Sequence, residues 1–295
     1  MDATLPPDLL ALEPGGRRDA WRPATRPGLV LLDVDGTLMG PDRVVTDPVV
    51  QAVHAIVDAG VPVGFATGRN VAGVATAYDQ LRIAGPHVVL NGAQIRRDGR
   101  SVRTWPLTDD QRDAVLALCD ERDLYAELYT DDHVLVTAMD ERYEPHWTEV
   151  IGQPLGTVAE HPDLVRTTIK ATIVTHGEEQ TAAVVDRVGE LGMNAGAATS
   201  PVTPGFTYVN ITHPDADKGK AVAAAAALVG VDVDAVVAIG DGANDLPMLR
   251  VVGTAIAMGD AGEVVRAASH HVVPDVVGDG VAVALRAVEA WVRAR

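Results

Sequence analysis

Cysteine, phenylalanine and lysine are all scarce in this chain of 295 residues, which carries one, two and three of them respectively. The single Cys119 excludes an intrachain disulfide framework and fits a reducing compartment, so a cytoplasmic protein is expected. No apolar stretch approaches the roughly 18 uninterrupted residues of a membrane helix, and no membrane partner is expected. Basic charge is also in deficit. Lys and Arg number 24 against 41 Asp and Glu, and the formal net charge of -17 disfavours nucleic acid, whose phosphates the mean field repels. The same field repels a phosphorylated metabolite, so a phosphate site here must be made locally positive by a divalent cation, a lysine and backbone N–H groups. What the chain does have is 47% hydrophobic residues and length for two domains of ordinary size. Residues 1–25 lack a basic start followed by an apolar core and read as a Pro-rich flexible tail, not a signal or transit peptide.

Beyond the tail, buried-type strands alternate with amphipathic helices: strand at Leu29–Asp33, helix at Pro48–Asp58, strand at Val61–Ala66, helix at Asn70–Leu81, strand at His87–Leu90. Apolar strands joined by helices argue for a parallel sheet covered on both faces. The pattern resumes with strands at Phe206–Ile211, Ala235–Ile239 and Ala255–Met258 and helices at Lys218–Leu228, Asp245–Val251, Gly262–Ala268 and Val281–Val292. Between them the pattern changes. Arg97-Asp98-Gly99-Arg100 signals a hairpin, Thr108 with Gln111 makes a capping box for a helix to about Arg122, and further strands at Tyr125–Tyr129, Val134–Ala138 and Thr167–Val174 precede a helix at Glu178–Leu191. The expected organisation is a catalytic core of residues 26–94 and 201–295, with an α+β unit, 95–200, inserted into it.

Asp33-Val34-Asp35-Gly36-Thr37 follows the first apolar strand, and two carboxylates at the end of a buried strand are costly unless a cation or a reacting group uses them. Three further signals follow in order: Thr67-Gly68-Arg69 after the second strand, Asp217-Lys218-Gly219 before an alanine-rich helix, and Gly240-Asp241-Gly242-Ala243-Asn244-Asp245 after another strand. Each alone reads as loop chemistry at a strand end. Together they describe a metal-dependent phosphate site at the carboxyl ends of parallel strands. Two of the three lysines fall in the Asp217 motif; Lys220 reads as a solvated helix face.

This set, with Asn91-Gly92-Ala93 after the third strand, resembles the haloacid dehalogenase superfamily, and in detail its Cof-type sugar-phosphate phosphatases with a C2-type cap, over roughly residues 28 to 290. The resemblance implies a Rossmann-like three-layer α/β core with a parallel sheet and an inserted α+β cap that is mobile and selects the substrate. It implies Asp33 as nucleophile, giving an aspartyl-phosphate, and Asp35 as general acid and then base. Magnesium is the implied cofactor, held by Asp33, the Asp35 carbonyl and Asp241, with Asp245 supporting the shell; Thr67, Gly68, Lys218 and Asn244 would hold phosphate. Arg69 and Asn91 follow the family pattern too, either touching substrate or tying loops together. The implied activity is hydrolysis of a small phosphorylated metabolite, with a phosphomutase or phosphotransferase as the alternative. A catalytically dead binding module would need a missing carboxylate or lysine, and none is missing. The histidines form no zinc-like pair, Cys119 reads as core, and the cap aromatics Tyr125, Tyr129, Tyr143 and Trp147 read as packing rather than a sugar pocket. Pro274 stands where relatives often have Thr or Ser, which bears on the last loop and not on the chemistry.

Overall fold

The computed structural model describes residues 6–22, 26–200 and 202–294, and the chain divides into two compact units. The first holds residues up to Gly68, Val74–Val102 and Asp217 onward; the second holds Arg69–Gly73 and Arg103–Ala216.

The first unit is built on a six-stranded sheet. Its order from one edge is Glu13–Pro14, His271–Val272, Thr254–Ala257, Val236–Gly240, Leu29–Leu32 and Val63–Phe65, parallel throughout except for the Glu13–Pro14 edge. Alternate residues Val30, Leu32, Val237, Ile239 and Ile256 join one core with the helices Asp47–Asp58 and Gly280–Arg293. The helices Lys218–Leu228 and Leu246–Val251 pack on each other and bury Ala221, Val222, Met248 and Leu249, so the sheet lies between helical layers. From Leu29–Leu32 the chain goes first to the strand on one side, Val63–Phe65, and later to the strand on the other, Val236–Gly240. That reversal is the switch point at which open parallel sheets bind ligands, and Asp33, Thr67 and Asp241 follow the carboxyl ends of its strands.

The second unit is a six-stranded sheet in the order Asn194–Thr199, Phe206–Thr212, Lys170–His176, Ala126–Tyr129, Val134–Val136, Gly156–Thr157. One face, with Ala126, Leu128, Ala171, Ile173, Val209 and Ile211, packs against the helices Asp109–Arg122 and Gly177–Glu190. The expected capping box is made, with Gln111 N donating to Thr108 Oγ1 at 3.2 Å and Thr108 N to Gln111 Oε1 at 3.0 Å. Cys119 is buried in that core, as its neighbours suggested.

Two expectations need correction. Phe206–Thr212 is not a core strand but pairs antiparallel with Lys170–His176 and Asn194–Thr199, so the cap's compact unit runs to Ala216 and the hairpin strand Gln94–Arg97 stays with the core. Apolar alternation marks a strand without saying which sheet it joins. The expected flexible tail also carries structure. Gly15 N and Arg17 N donate to the carbonyls of His270 and Ser269, the Arg18 side chain donates to the carbonyls of Leu12 and His270, and Trp21 is buried with Nε1 donating to Thr254 Oγ1 at 3.1 Å. An edge strand offers unpaired backbone groups, and residues 13–17 satisfy them; residues 1–5 and 23–25 of the expected tail lie outside the described residues.

Two histidines make the core acid-sensitive. His87 Nδ1 accepts from Phe65 N at 3.2 Å and His270 Nδ1 from Ala255 N at 2.9 Å, so neither nitrogen can carry a proton, and burial pushes both imidazoles down to about 4. The unfolded chain takes up protons near 6.5 that the folded chain refuses, so stability is full above that pH and is lost as pH falls towards 4. In an NMR titration both rings are expected to stay neutral at pH 5.5 while the urea midpoint declines; rings protonated at pH 5.5 in the folded protein would contradict this.

Candidate active site

Asp33 follows the central strand directly and is buried at 4% exposure, while Asp35 is exposed, so the turn parts the two carboxylates that an extended chain would keep on one side. Gly36 makes that turn possible. Its φ is +78°, and a Cβ there would lie 2.4 Å from Asp241 Oδ2. Thr37 Oγ1 donates to Asp241 Oδ1 at 2.8 Å, a tie between the first and last motifs that the sequence reading left without a role.

Lys218 comes from the start of its helix, where the Asp217 side chain accepts from Lys220 N at 2.8 Å and so caps the first turn. The ammonium is buried at 1% exposure, 2.8 Å from Asp33 Oδ1 and 2.5 Å from Asp245 Oδ1. The second oxygen of Asp245 accepts from Asp241 N at 3.1 Å and Gly242 N at 3.0 Å. Asp245 therefore holds Lys218 and the Asp241 turn together.

Asp33, Asp241 and Asp245 each offer an oxygen within 4.8 Å of the others. Burial and then Asp245 raise the Asp33 carboxyl well above its usual range, against the pull of Lys218. Burial, with Asp245 adding to it and the Thr37 hydroxyl opposing, pushes Asp241 up to about 6. Lys218 is raised as well: burial would lower it, but Asp245 and Asp33 together outweigh burial and hold the ammonium charged. Three carboxylates against one ammonium leave two negative charges in a buried place, the deficit that one divalent cation with oxygen ligands removes. The donor set fits such an ion.

Other expected residues gather on the neighbouring loops. Asn91 N donates to Thr67 O at 3.1 Å, and the position of a Gly68 Cβ would lie 2.6 Å from Asn91 Oδ1, so the Asn91 loop packs on the Thr67-Gly68 loop. Asn244 is exposed beside Gly242, whose added Cβ would meet Asn244 Oδ1 at 2.4 Å. Arg69 departs from this group, since it belongs to the second unit, with its guanidinium donating to Gly73 O at 2.8 Å.

The family model for haloacid dehalogenase-like hydrolases matches residues 30–285. The chain belongs to this family of hydrolases. It is similar to the phosphoglycolate phosphatase of Methanopyrus kandleri, 29% identical over 88% of this chain and 95% of that one. It is likewise similar to the pyridoxal phosphate phosphatase YbhA of Escherichia coli, 24% identical over 86% of this chain and 96% of that one. A solved phosphatase of the superfamily, BT1666 of Bacteroides thetaiotaomicron, shares its fold with a TM-score of 0.74 at 25% identity, covering 91% of this chain and 97% of that one. These likenesses make the chain a Cof-type phosphoric monoester hydrolase of the superfamily, with a parallel-sheet core and a cap. Among the described residues no helix is long and apolar enough to cross a membrane.

Proposed function

We propose that this hydrolase removes phosphate from a small phosphorylated metabolite, a sugar phosphate foremost, through an aspartyl-phosphate on Asp33 and with magnesium as cofactor. The observation that carries the reading is the Lys218 ammonium bridging Asp33 and Asp245 beside Asp241. A buried carboxylate held against a lysine and short of positive charge suits a nucleophile that must approach an anion. Asp33 and Asp241 would hold the ion with the Asp35 carbonyl, while Asp245, whose oxygens already accept from Lys218 and two backbone N–H groups, would support the shell. Bound there, the ion would supply neutralisation of the negative charge of the carboxylates and the phosphate.

In the first step an Asp33 oxygen forms a bond to phosphorus as the bond to the leaving oxygen breaks, and Asp35 gives that oxygen its proton. Asp35 is exposed where Asp33 is buried, which suits a group that must exchange protons with leaving group and water. In the second step Asp35 takes a proton from water, the hydroxide adds to phosphorus, and the bond to Asp33 breaks. Thr67 and the Gly68 N–H would hold the transferring oxygens, with Asn91 and Asn244 beside them and Lys218 offsetting their charge. Arg69 is proposed as a loop tie.

The test is release of inorganic phosphate from a panel of phosphorylated metabolites, with and without magnesium. Magnesium-dependent release from a sugar phosphate is expected; a positional isomer in place of free phosphate would make the protein a mutase. Asp35→Asn should lose at least about a hundredfold on a sugar phosphate and much less on an aryl phosphate, whose leaving group needs little protonation. Equal losses on both would remove Asp35 as the acid.

A further inference from the structure

The chain passes from the core unit to the cap unit at four places, and one of them is unexpected: it lies inside the loop that follows the Val63–Phe65 strand. Gly68 packs with the core, while the next five residues, Arg69–Gly73, pack with the cap. They do so against the end of the π-helical turn Trp147–Ile151. Asn70 Nδ2 donates to Ile151 O at 2.8 Å and Asn70 Oδ1 accepts from Gly73 N at 2.9 Å. The backbones meet closely on both sides of that bond: a Cβ on Gly73 would lie 2.4 Å from Val150 O, and one on Gly152 would lie 2.9 Å from the Ala72 Cβ.

The turn that receives Asn70 is itself fixed to the cap sheet. The sheet face opposite the helices carries Glu127 and Tyr129 on one strand and Lys170 on the next, all buried. Tyr129 Oη donates to Glu127 Oε2 at 2.6 Å, and His146 Nε2 lies 3.5 Å from Glu127 Oε1 with its ring stacked on Tyr208 at 4.1 Å. Next to it Trp147 Nε1 donates to Tyr125 Oη at 2.8 Å, and Tyr125 stacks on Tyr143 at 3.7 Å. These contacts fasten Tyr143, His146 and Trp147, and with Trp147 the turn that ends at Ile151, to the cap sheet. Asn70, bonded to Ile151, stands two residues along the chain from Gly68, where the chain crosses into the core unit.

We propose that Asn70 is a positioning residue through which the cap holds the Thr67-Gly68 phosphate loop in its binding geometry. This rests on the proposed role of Thr67 and Gly68 in holding phosphate. The probe is inorganic phosphate as an inhibitor of the magnesium-loaded full chain. Asn70→Ser keeps an oxygen able to accept from Gly73 N, so the local turn survives, but it cannot reach Ile151. Its phosphate inhibition constant should rise about tenfold, a typical coupling between distinct bodies, with the magnesium requirement unchanged. Gly73→Ala, which drives the same segment away from Val150, should shift it in the same direction and carries the comparison if Asn70→Ser unfolds. A purely structural residue would lower stability or yield without moving this constant. Wild-type inhibition in both variants overturns the tie alone; a wild type that releases no phosphate with magnesium overturns the phosphatase reading and the tie with it.

Discussion

Asp33→Asn is expected to reduce phosphate release by at least about a thousandfold and to leave the fold in place. An amide cannot form the acyl phosphate bond, so the covalent route closes entirely and only slow direct attack of water remains. The fold should survive because the substitution removes a charge from a buried place where burial and Asp245 already oppose it. Lys218 loses one partner but keeps Asp245 at 2.5 Å, so the ammonium is not stranded. The decisive measurement is single-turnover phosphate release from a pure variant whose circular dichroism matches the wild type. Release at the wild-type rate would remove Asp33 as nucleophile, and trapping of phosphate on the wild-type chain but not on the variant would place the bond at this residue.

Excess chelator is expected to take activity to background, with magnesium restoring it and calcium failing to do so. Asp33, Asp241 and Asp245 against Lys218 leave two charges uncompensated, so substrate dianion and carboxylates repel each other unless a cation lies between them. Calcium accepts the same oxygen donors but with a larger and looser shell, which disturbs in-line geometry. Two readouts besides turnover follow. A magnesium ion that occupies this carboxylate cluster would bind the folded chain in preference to the unfolded one, so the melting temperature should climb with its concentration. Asp241 lies near 6, so protons compete with the ion, and the magnesium needed for half of that thermal shift should rise as pH falls below 6. Full activity in excess chelator, or a melting temperature indifferent to magnesium, would remove the cation from the mechanism.

Much of the architecture could be read from the chain because its signals are local. Leu29–Leu32 and Val236–Gly240 are short unbroken apolar runs ending in carboxylates, and such runs form buried strands wherever a parallel sheet is covered on both faces. The Thr108 capping box depends on residues three apart, and it formed where expected. The motif residues were legible for the same reason: Asp33, Thr67, Lys218 and Asp241 stand at strand ends or helix starts, positions that local pattern alone marks.

What the sequence could not decide is partnership across distance. Phe206–Thr212 has the alternation of a strand, but only its register with Lys170–His176 assigns it to the cap sheet. Residues 13–17 look like linker until the edge at His271–Val272 offers unpaired backbone groups for them to meet. The Thr37 hydroxyl on Asp241, the bridging of Asp33 and Asp245 by Lys218, and the attachment of Asn70 to Ile151 join residues from 27 to 204 positions apart. Pattern in a sequence reports the period of one element. Which elements meet, and which buried charges thereby find partners, is set by packing that satisfies the whole chain at once.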